Sequence, residues 1–278
     1  MATGYDARRT LPLRVEALRQ LKRRRTMFAL GFLVVLPFIL VGAFALADDS
    51  EPDPGQINFV DIATSSAVNF SIFSIFASVG FLLVVVVALF CGDTVASEAS
   101  WSSLRYLLAI PVPRGRLLRQ KLIVALGYSA LALVLLPSVA LGAGWVFYGW
   151  KPVRTVFGDS YPASDGLART ALTIGFLAVW MLLVASLAFW LSTVTDAPLG
   201  AVGGAVGLVI VSNILDSITA LGSLREVLPT HYQFAFTDAF TVPIQYDAMA
   251  KGCVAALAYS AVFLYLAWRR FATKDIVS

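Results

Sequence analysis

Six apolar runs, each of about 20 residues or more, constrain this chain more than any other feature. They fall at roughly 27–47, 67–91, 121–148, 169–191, 198–219 and 248–268. A helix needs about 20 apolar residues to cross ~30 Å of hydrocarbon. In lipid, its backbone N–H and C=O groups must find their partners within the protein. The pattern predicts an all-α polytopic membrane protein with six transmembrane helices, an N-terminal interfacial amphipathic helix and a cytoplasmic helix between the second and third runs. Composition agrees: the 278 residues are 59% hydrophobic and 14% charged, where soluble domains carry about 25% charged residues.

Charge placement predicts orientation. The N-terminal segment carries Arg8, Arg9, Arg14, Arg19, Lys22, Arg23, Arg24 and Arg25. The loop after the second run and its edge carry Arg105, Arg114, Arg116, Arg119 and Lys121, and the C-terminus carries Arg269, Arg270 and Lys274. The 48–66 loop has no Lys or Arg but holds Asp48, Asp49, Glu51, Asp53 and Asp61. By the positive-inside rule the three basic regions are cytoplasmic, and 48–66, 149–168 and 220–247 face outward. The net charge of +4 reflects that asymmetry and points to no nucleic-acid partner. The N-terminus does not read as a secretory signal, because 26 largely basic residues precede a full-length run.

This reading divides the chain into a cytoplasmic or interfacial amphipathic segment (1–26), a six-helix transmembrane domain (27–268) with a coupling segment at 92–120, and a cytoplasmic tail (269–278). Within 11–25, Leu11, Val15, Leu18 and Leu21 form one stripe and charges occupy the rest. Such a helix lies in the interface and snorkels its basic heads, as an anchor or with a further role. Loop 220–247, broken by Pro229 and Pro243, predicts short helices that dip back toward the membrane. Cys91 and Cys253 fall near opposite sides, so no disulfide is expected, and with the single His231 they make no metal-ligand cluster.

The segment from Cys91 to Lys121 is the one long charged insert among the apolar runs. Its 94–109 stretch predicts a helix with Trp101, Leu104 and Leu108 on one stripe and Glu98, Ser102 and Arg105 on an adjacent face. Pro111 and Pro113 stop it, and Arg114 begins the approach to the third run. The pattern fits an interfacial helix rich in anchors, or a helix that docks in a groove of a soluble partner. Elsewhere, Gly200, Gly203, Gly204 and Gly207 form two small-xxx-small pairs that permit close helix approach, within one subunit or at a dimer seam. Ser71, Ser74 and Ser78 lie at helical spacing in the second run, and Asn213 and Asp216 lie toward the outer end of the fifth. Serines often bond back to their own helix, whereas Asn213 and Asp216 are candidates to line a translocation path.

The run from Glu98 through Arg114, followed by Lys121, resembles the first cytoplasmic loop of ABC-2 type transporter permeases. That family shows an acidic residue, Gly-Thr-Leu, a Leu pair, a Pro-(Val/Ile)-Ser-Arg turn and a downstream Lys. Glu98, Leu104, Leu107, Leu108, Pro111, Val112, Arg114 and Lys121 match, with Ser102, Ser103 and Pro113 as departures. The resemblance implies a bacterial plasma-membrane permease working as a pair, as a homodimer or with a related chain. It implies no cofactor in this chain, with ATP and Mg held by a separate cytosolic ATPase subunit that drives it. The coupling residues would be Glu98, Trp101, Ser102, Leu104, Arg105, Leu108 and Arg114, and the cargo an exported hydrophobic or amphipathic substrate. An ABC importer permease is the alternative, imitated by Glu98-Ala99 but not by the later spacing; an ATP-independent carrier is another, without a visible internal repeat. The five lysines, Lys22, Lys121, Lys151, Lys251 and Lys274, close no phosphate-binding loop, since none precedes Ser or Thr. Asp165–Arg169 and Gly127-Tyr-Ser129 imitate a lipid phosphotransferase and an intramembrane protease, but the partner aspartates and a base are missing.

Overall fold

The structure, a computed structural model, describes residues 12–47, 59–100, 113–155 and 160–273. Its helices are α1 (Leu13–Leu21), α2 (Arg24–Ala47), α3 (Phe59–Thr64), α4 (Ala67–Val79), α5 (Leu82–Ser100), α6 (Arg114–Tyr148), α7 (Ala163–Val194), α8 (Pro198–Ser217) and α9 (Asp247–Thr273). A hairpin between α6 and α7 pairs β1 (Val153–Arg154) antiparallel with β2 (Ser160–Tyr161). Among the described residues, six helices are long and apolar enough to cross a membrane: α2, α5, α6, α7, α8 and α9. The protein is an all-α, multi-pass membrane protein. Both described chain ends lie at one end of the bundle, called here the basic end; the hairpin and residues 219–246 lie at the far end.

Burial identifies the centre. In α5 and α7, 78% and 67% of the most apolar stretch is buried, against 11% in α2 and 22% in α8 and α9. α7 packs along α9 and α5, α4 lies on α6, and α8 covers α5. Large apolar side chains of the outer helices, such as Phe28, Phe38, Leu199 and Ile214, face outward. That is the arrangement of a bundle whose solvent is lipid, because burial of apolar surface does not drive helix association there and close packing must.

Glycines provide the closest approaches. A Cβ on Gly144 of α6 would stand 2.9 Å from Cα and 3.0 Å from O of Ala67. A Cβ on Gly92 of α5 would stand 3.1 Å from a Val202 methyl and 3.3 Å from the Val202 backbone nitrogen. α4 starts beside α6 with Ser66 as N-cap, its hydroxyl accepting from Asn69 N. The Asn69 side chain then clamps the hairpin: Nδ2 donates to Arg154 O at 2.7 Å, and Oδ1 accepts from Arg154 N at 3.1 Å.

The second predicted span, 67–91, is two helices. The turn at Gly80–Phe81 separates α4 from α5, and the carbonyl of Val79 accepts an N–H from the buried Gln233 at 3.0 Å. A side chain entering the backbone ladder is a recognised cause of a helix bend. α5 then continues to Ser100, so residues 94–100, expected to open a separate coupling helix, are the end of a spanning helix. The third run likewise begins at Arg114 rather than 121; at 1.5 Å per residue α6 is about 52 Å long and projects beyond the hydrocarbon. Loop 220–247 forms short helices as expected, here 3-10 turns at Thr219–Val227 and Ala235–Phe240. Cys91 is buried, Cys253 is half-buried and both are free thiols.

Gly144→Ala is expected to destabilise the bundle by ~1–3 kcal/mol, because the added methyl meets backbone that cannot rotate away. Gly127→Ala in the same helix, where nothing lies within 4 Å of the new Cβ, is expected to stay within ~0.5 kcal/mol of wild type. Thermal unfolding of the two variants in one detergent measures the difference.

A buried charge junction at the basic end

α1 carries two unlike faces. Glu16, Arg19 and Gln20 share one of them, continued by Arg23 in the turn that follows, while Val15, Leu18 and Leu21 share another. The polar face is turned into the protein: Glu16 and Gln20 are buried, whereas Leu13, Val15, Leu18 and Leu21 are exposed. The apolar stripe therefore faces outward from the bundle, and the charges meet partners on α5 and α6.

The partners form a closed ring of alternating sign. Lys121 Nζ lies 2.5 Å from Glu98 Oε1 and 3.1 Å from Glu16 Oε1. Arg19 joins both carboxylates, pairing Nη2 with Glu98 and placing Nε 3.4 Å from Glu16 Oε2. Lys121 and Glu98 are each 1% exposed. Beside the ring, Asp93 accepts from Arg23 at 2.5 Å and from Arg25, and Arg23 also donates to Ser97 Oγ at 3.0 Å. Two neutral bonds complete the attachment: Gln20 Nε2 donates to Phe90 O at 3.3 Å, and Tyr128 OH donates to Ala17 O at 2.8 Å. At the start of α6, Arg114 Nη1 donates to Ala272 O near the end of α9 at 3.1 Å.

No group of three potential metal ligands occurs among the described residues. Exposed ion pairs contribute ~0–1 kcal/mol, but leaving one partner of a buried pair alone costs ~3–5 kcal/mol. The ring thus fixes the position of α1 against the last turn of α5 and the first turns of α6.

Of the residues expected from sequence, Glu98 differs most from its predicted setting. It was placed on a partner-facing surface with Ser102 and Arg105; it is buried and paired with Lys121 and Arg19. Trp101, Ser102, Leu104, Arg105 and Leu108 lie outside the described residues. Gly200, Gly203 and Gly204 are on the exposed side of α8 and Gly207 is half-buried; the side that packs inward is Ala201, Ala205, Val209 and Ser212. Ser71 donates to Pro137 O at 2.9 Å and Ser74 to its own helix at Phe70 O, 2.8 Å. The Ser78 hydroxyl is buried without a hydrogen-bond partner among the described residues. Asn213 is half-buried. Asp216 lies 2.6 Å from His231 Nδ1 and 3.6 Å from Arg225 Nε, which with Ser212–Thr230 at 2.8 Å ties the 3-10 turns to the end of α8.

Glu16, Asp93 and Lys121 were not read from the sequence as members of one site. A signal was present: Asp93 and Glu98 are carboxylates at the end of an apolar run, and intramembrane carboxylates demand partners.

Lys121→Met is expected to lower stability by ~3–5 kcal/mol, since Glu16 and Glu98 then share only Arg19. Lys121→Met combined with Glu98→Gln should recover part of that loss. A double-mutant cycle of thermal unfolding reads the coupling, and additive effects would contradict the ring.

No curated protein matches the chain. The family model described as ABC-2 family transporter protein matches residues 13–212 of the 278, from the first residue of α1 through four of the six long helices and most of α8. The match spans α1, the buried junction and the whole of α5 and α6, and with the six long apolar helices it settles the family: the chain is a membrane protein of the ABC-2 transporter family.

Proposed function

We propose that the chain is the permease subunit of an ATP-driven exporter of a hydrophobic or amphipathic substrate, and that a separate cytosolic ATPase holding ATP and Mg drives it. The observation that carries the reading is the junction. Segment 101–112 connects the end of α5 to the start of α6, and Glu98 and Lys121, close to its two ends, are held in one buried ring with α1. A push on that segment is thereby delivered to two spanning helices and the interfacial helix together. Trp101, Ser102, Leu104, Arg105 and Leu108 are assigned to contact with the ATPase, and Glu98 and Arg114 to transmission of its motion.

In this reading the basic end is cytoplasmic, in a bacterial plasma membrane. Two permease copies meet along the glycine side of α8, at Gly200, Gly203, Gly204 and Gly207. That side is supported by its exposure and by the absence of any described atom within 4 Å of a Cβ at Gly203 or Gly207. The pathway is assigned to the α4 and α8 surfaces bearing Ser71, Ser74, Ser78, Asn213 and Asp216. Transport needs no covalent chemistry from these groups.

Labelling of intact cells tests orientation: Gly55→Cys is expected to react with an impermeant thiol reagent and Gly115→Cys is not, and the reverse pattern overturns the assignment. Coupling is tested with Arg105→Glu, which is expected to abolish ATPase co-purification and permease-stimulated hydrolysis while the melting temperature stays at the wild-type value. Wild-type behaviour in both assays would reduce 101–112 to a membrane anchor. Cysteines at 203 and 207 are expected to crosslink between subunits, and failure along that whole side would place the seam elsewhere.

A further inference from the structure

A cavity of about 530 Å³ opens at the far end of the bundle, between α3, α4, the β-hairpin and the 3-10 turn at Ala235–Phe240. Its volume falls within the ~300–1,000 Å³ typical of small-molecule sites. The two ends of the cavity differ in chemistry. Ile72, Phe73 and Phe76 of α4, with Phe236 and Phe240, make an apolar floor. Arg154, Thr155, Thr237 and Thr241 stand on the walls and rim. The clamp between Asn69 and the Arg154 backbone fixes that rim to the first turn of α4. Phe76 lies about 10 Å further along α4 at 1.5 Å per residue, toward the bundle's middle.

Two arginines stand at this rim, with Asp165 and Asp238 on the elements beside them. Arg169 is engaged, donating to Ala239 O at 2.8 Å and Thr241 O at 2.7 Å and lying over the Tyr161 ring. Arg154 is exposed and makes no ion pair among the described residues. α3 turns Phe59, Ile62 and Ala63 toward the cavity, which puts Asp61 on its other face. Phe59 and Phe76 are both largely exposed, so the opening lies on the outer surface of the bundle.

We infer that this cavity is a binding site for one acyl chain of an anionic phospholipid, with the headgroup phosphate at Arg154 and the chain along Phe73 and Phe76. Depth, shape and charge all ask for that occupant. The apolar end lies along α4 toward the middle of the bundle, the cationic end is at the level where α4 begins, and a guanidinium matches a phosphate in charge and in donor geometry. A lipid held there would press on the α4 face opposite α6 and on the 3-10 turn that follows Gln233, whose side chain reaches the α4–α5 bend. The inference needs neither the direction of transport nor the ATPase.

The test uses the full chain in phosphatidylcholine nanodiscs doped with a phosphatidylglycerol or a phosphatidylcholine whose acyl chain carries a diazirine. After photolysis, peptides are mapped by mass spectrometry. Wild-type labelling is expected at residues 72–76 and 236–240, with a preference of about fivefold for the phosphatidylglycerol probe, the size of one cation acting on an anionic lipid. Arg154→Glu, at an exposed position, should bring the preference to unity or below. Ile72→Trp, which fills the cavity, should remove labelling there while leaving that on lipid-facing α2. Equal labelling by the two probes in wild type, or a preference unchanged by Arg154→Glu, would overturn the proposal.

Discussion

A lysine with 1% exposure near the end of a membrane helix determines much of this architecture. Lys121 needs carboxylates close by, and the two that it has come from distant parts of the chain, Glu16 on α1 and Glu98 on α5. Taking such charges out of water is unfavourable unless geometry and hydrogen bonding return the loss. The arrangement therefore holds only if α1, α5 and α6 are placed together. Arg19 closes the ring, and Asp93 with Arg23 and Arg25 fixes the corner between α1 and α2. An amphipathic helix that the sequence alone would let float in the interface is thereby part of the bundle.

Close packing accounts for the rest of the scaffold. α5 and α7 form the centre, buried along most of their apolar stretches, while α2, α8 and α9 are mostly exposed. Gly144 against Ala67 and Gly92 against Val202 bring backbones within reach of one another. Packing of this kind stands in for the hydrophobic effect that a membrane interior lacks. The glycines of α8 are different: Gly200, Gly203 and Gly204 are exposed and Gly207 is half-buried, and the inward packing is left to Ala201, Ala205 and Val209. The packing that holds the bundle together and the glycine stripe proposed as a seam are thus on opposite sides of one helix.

The all-α class and the six long helices were legible in the sequence, because hydrocarbon thickness sets a length that composition cannot hide. Loop 220–247 was readable as short helices from its breaks. The junction was only half legible. The stripe Val15, Leu18, Leu21 announced a two-faced helix, but nothing in periodicity says which face turns inward; burial of the polar face follows from partners about 80 and 100 residues away. For the same reason Glu98 read as a surface charge: its local neighbours are polar, and its actual partner Lys121 lies beyond two prolines. The bend at Gly80–Phe81 was hidden because α4 and α5 form one continuous apolar run, and Gln233, which marks the bend, comes from a loop much later in the chain. Partner-facing roles for Trp101, Ser102, Leu104, Arg105 and Leu108 stand on the sequence pattern.

The account rests on α1 being held by buried charge rather than by the lipid surface. The most direct measurement is the distance between spin labels at Leu18→Cys on α1 and Leu131→Cys on α6, both exposed positions, by pulsed electron resonance in nanodiscs. The account predicts one narrow distance distribution in the otherwise wild-type chain, and a broad one once Lys121→Met opens the ring. An equally narrow distribution in both would mean that the membrane interface alone positions α1, and would contradict the account.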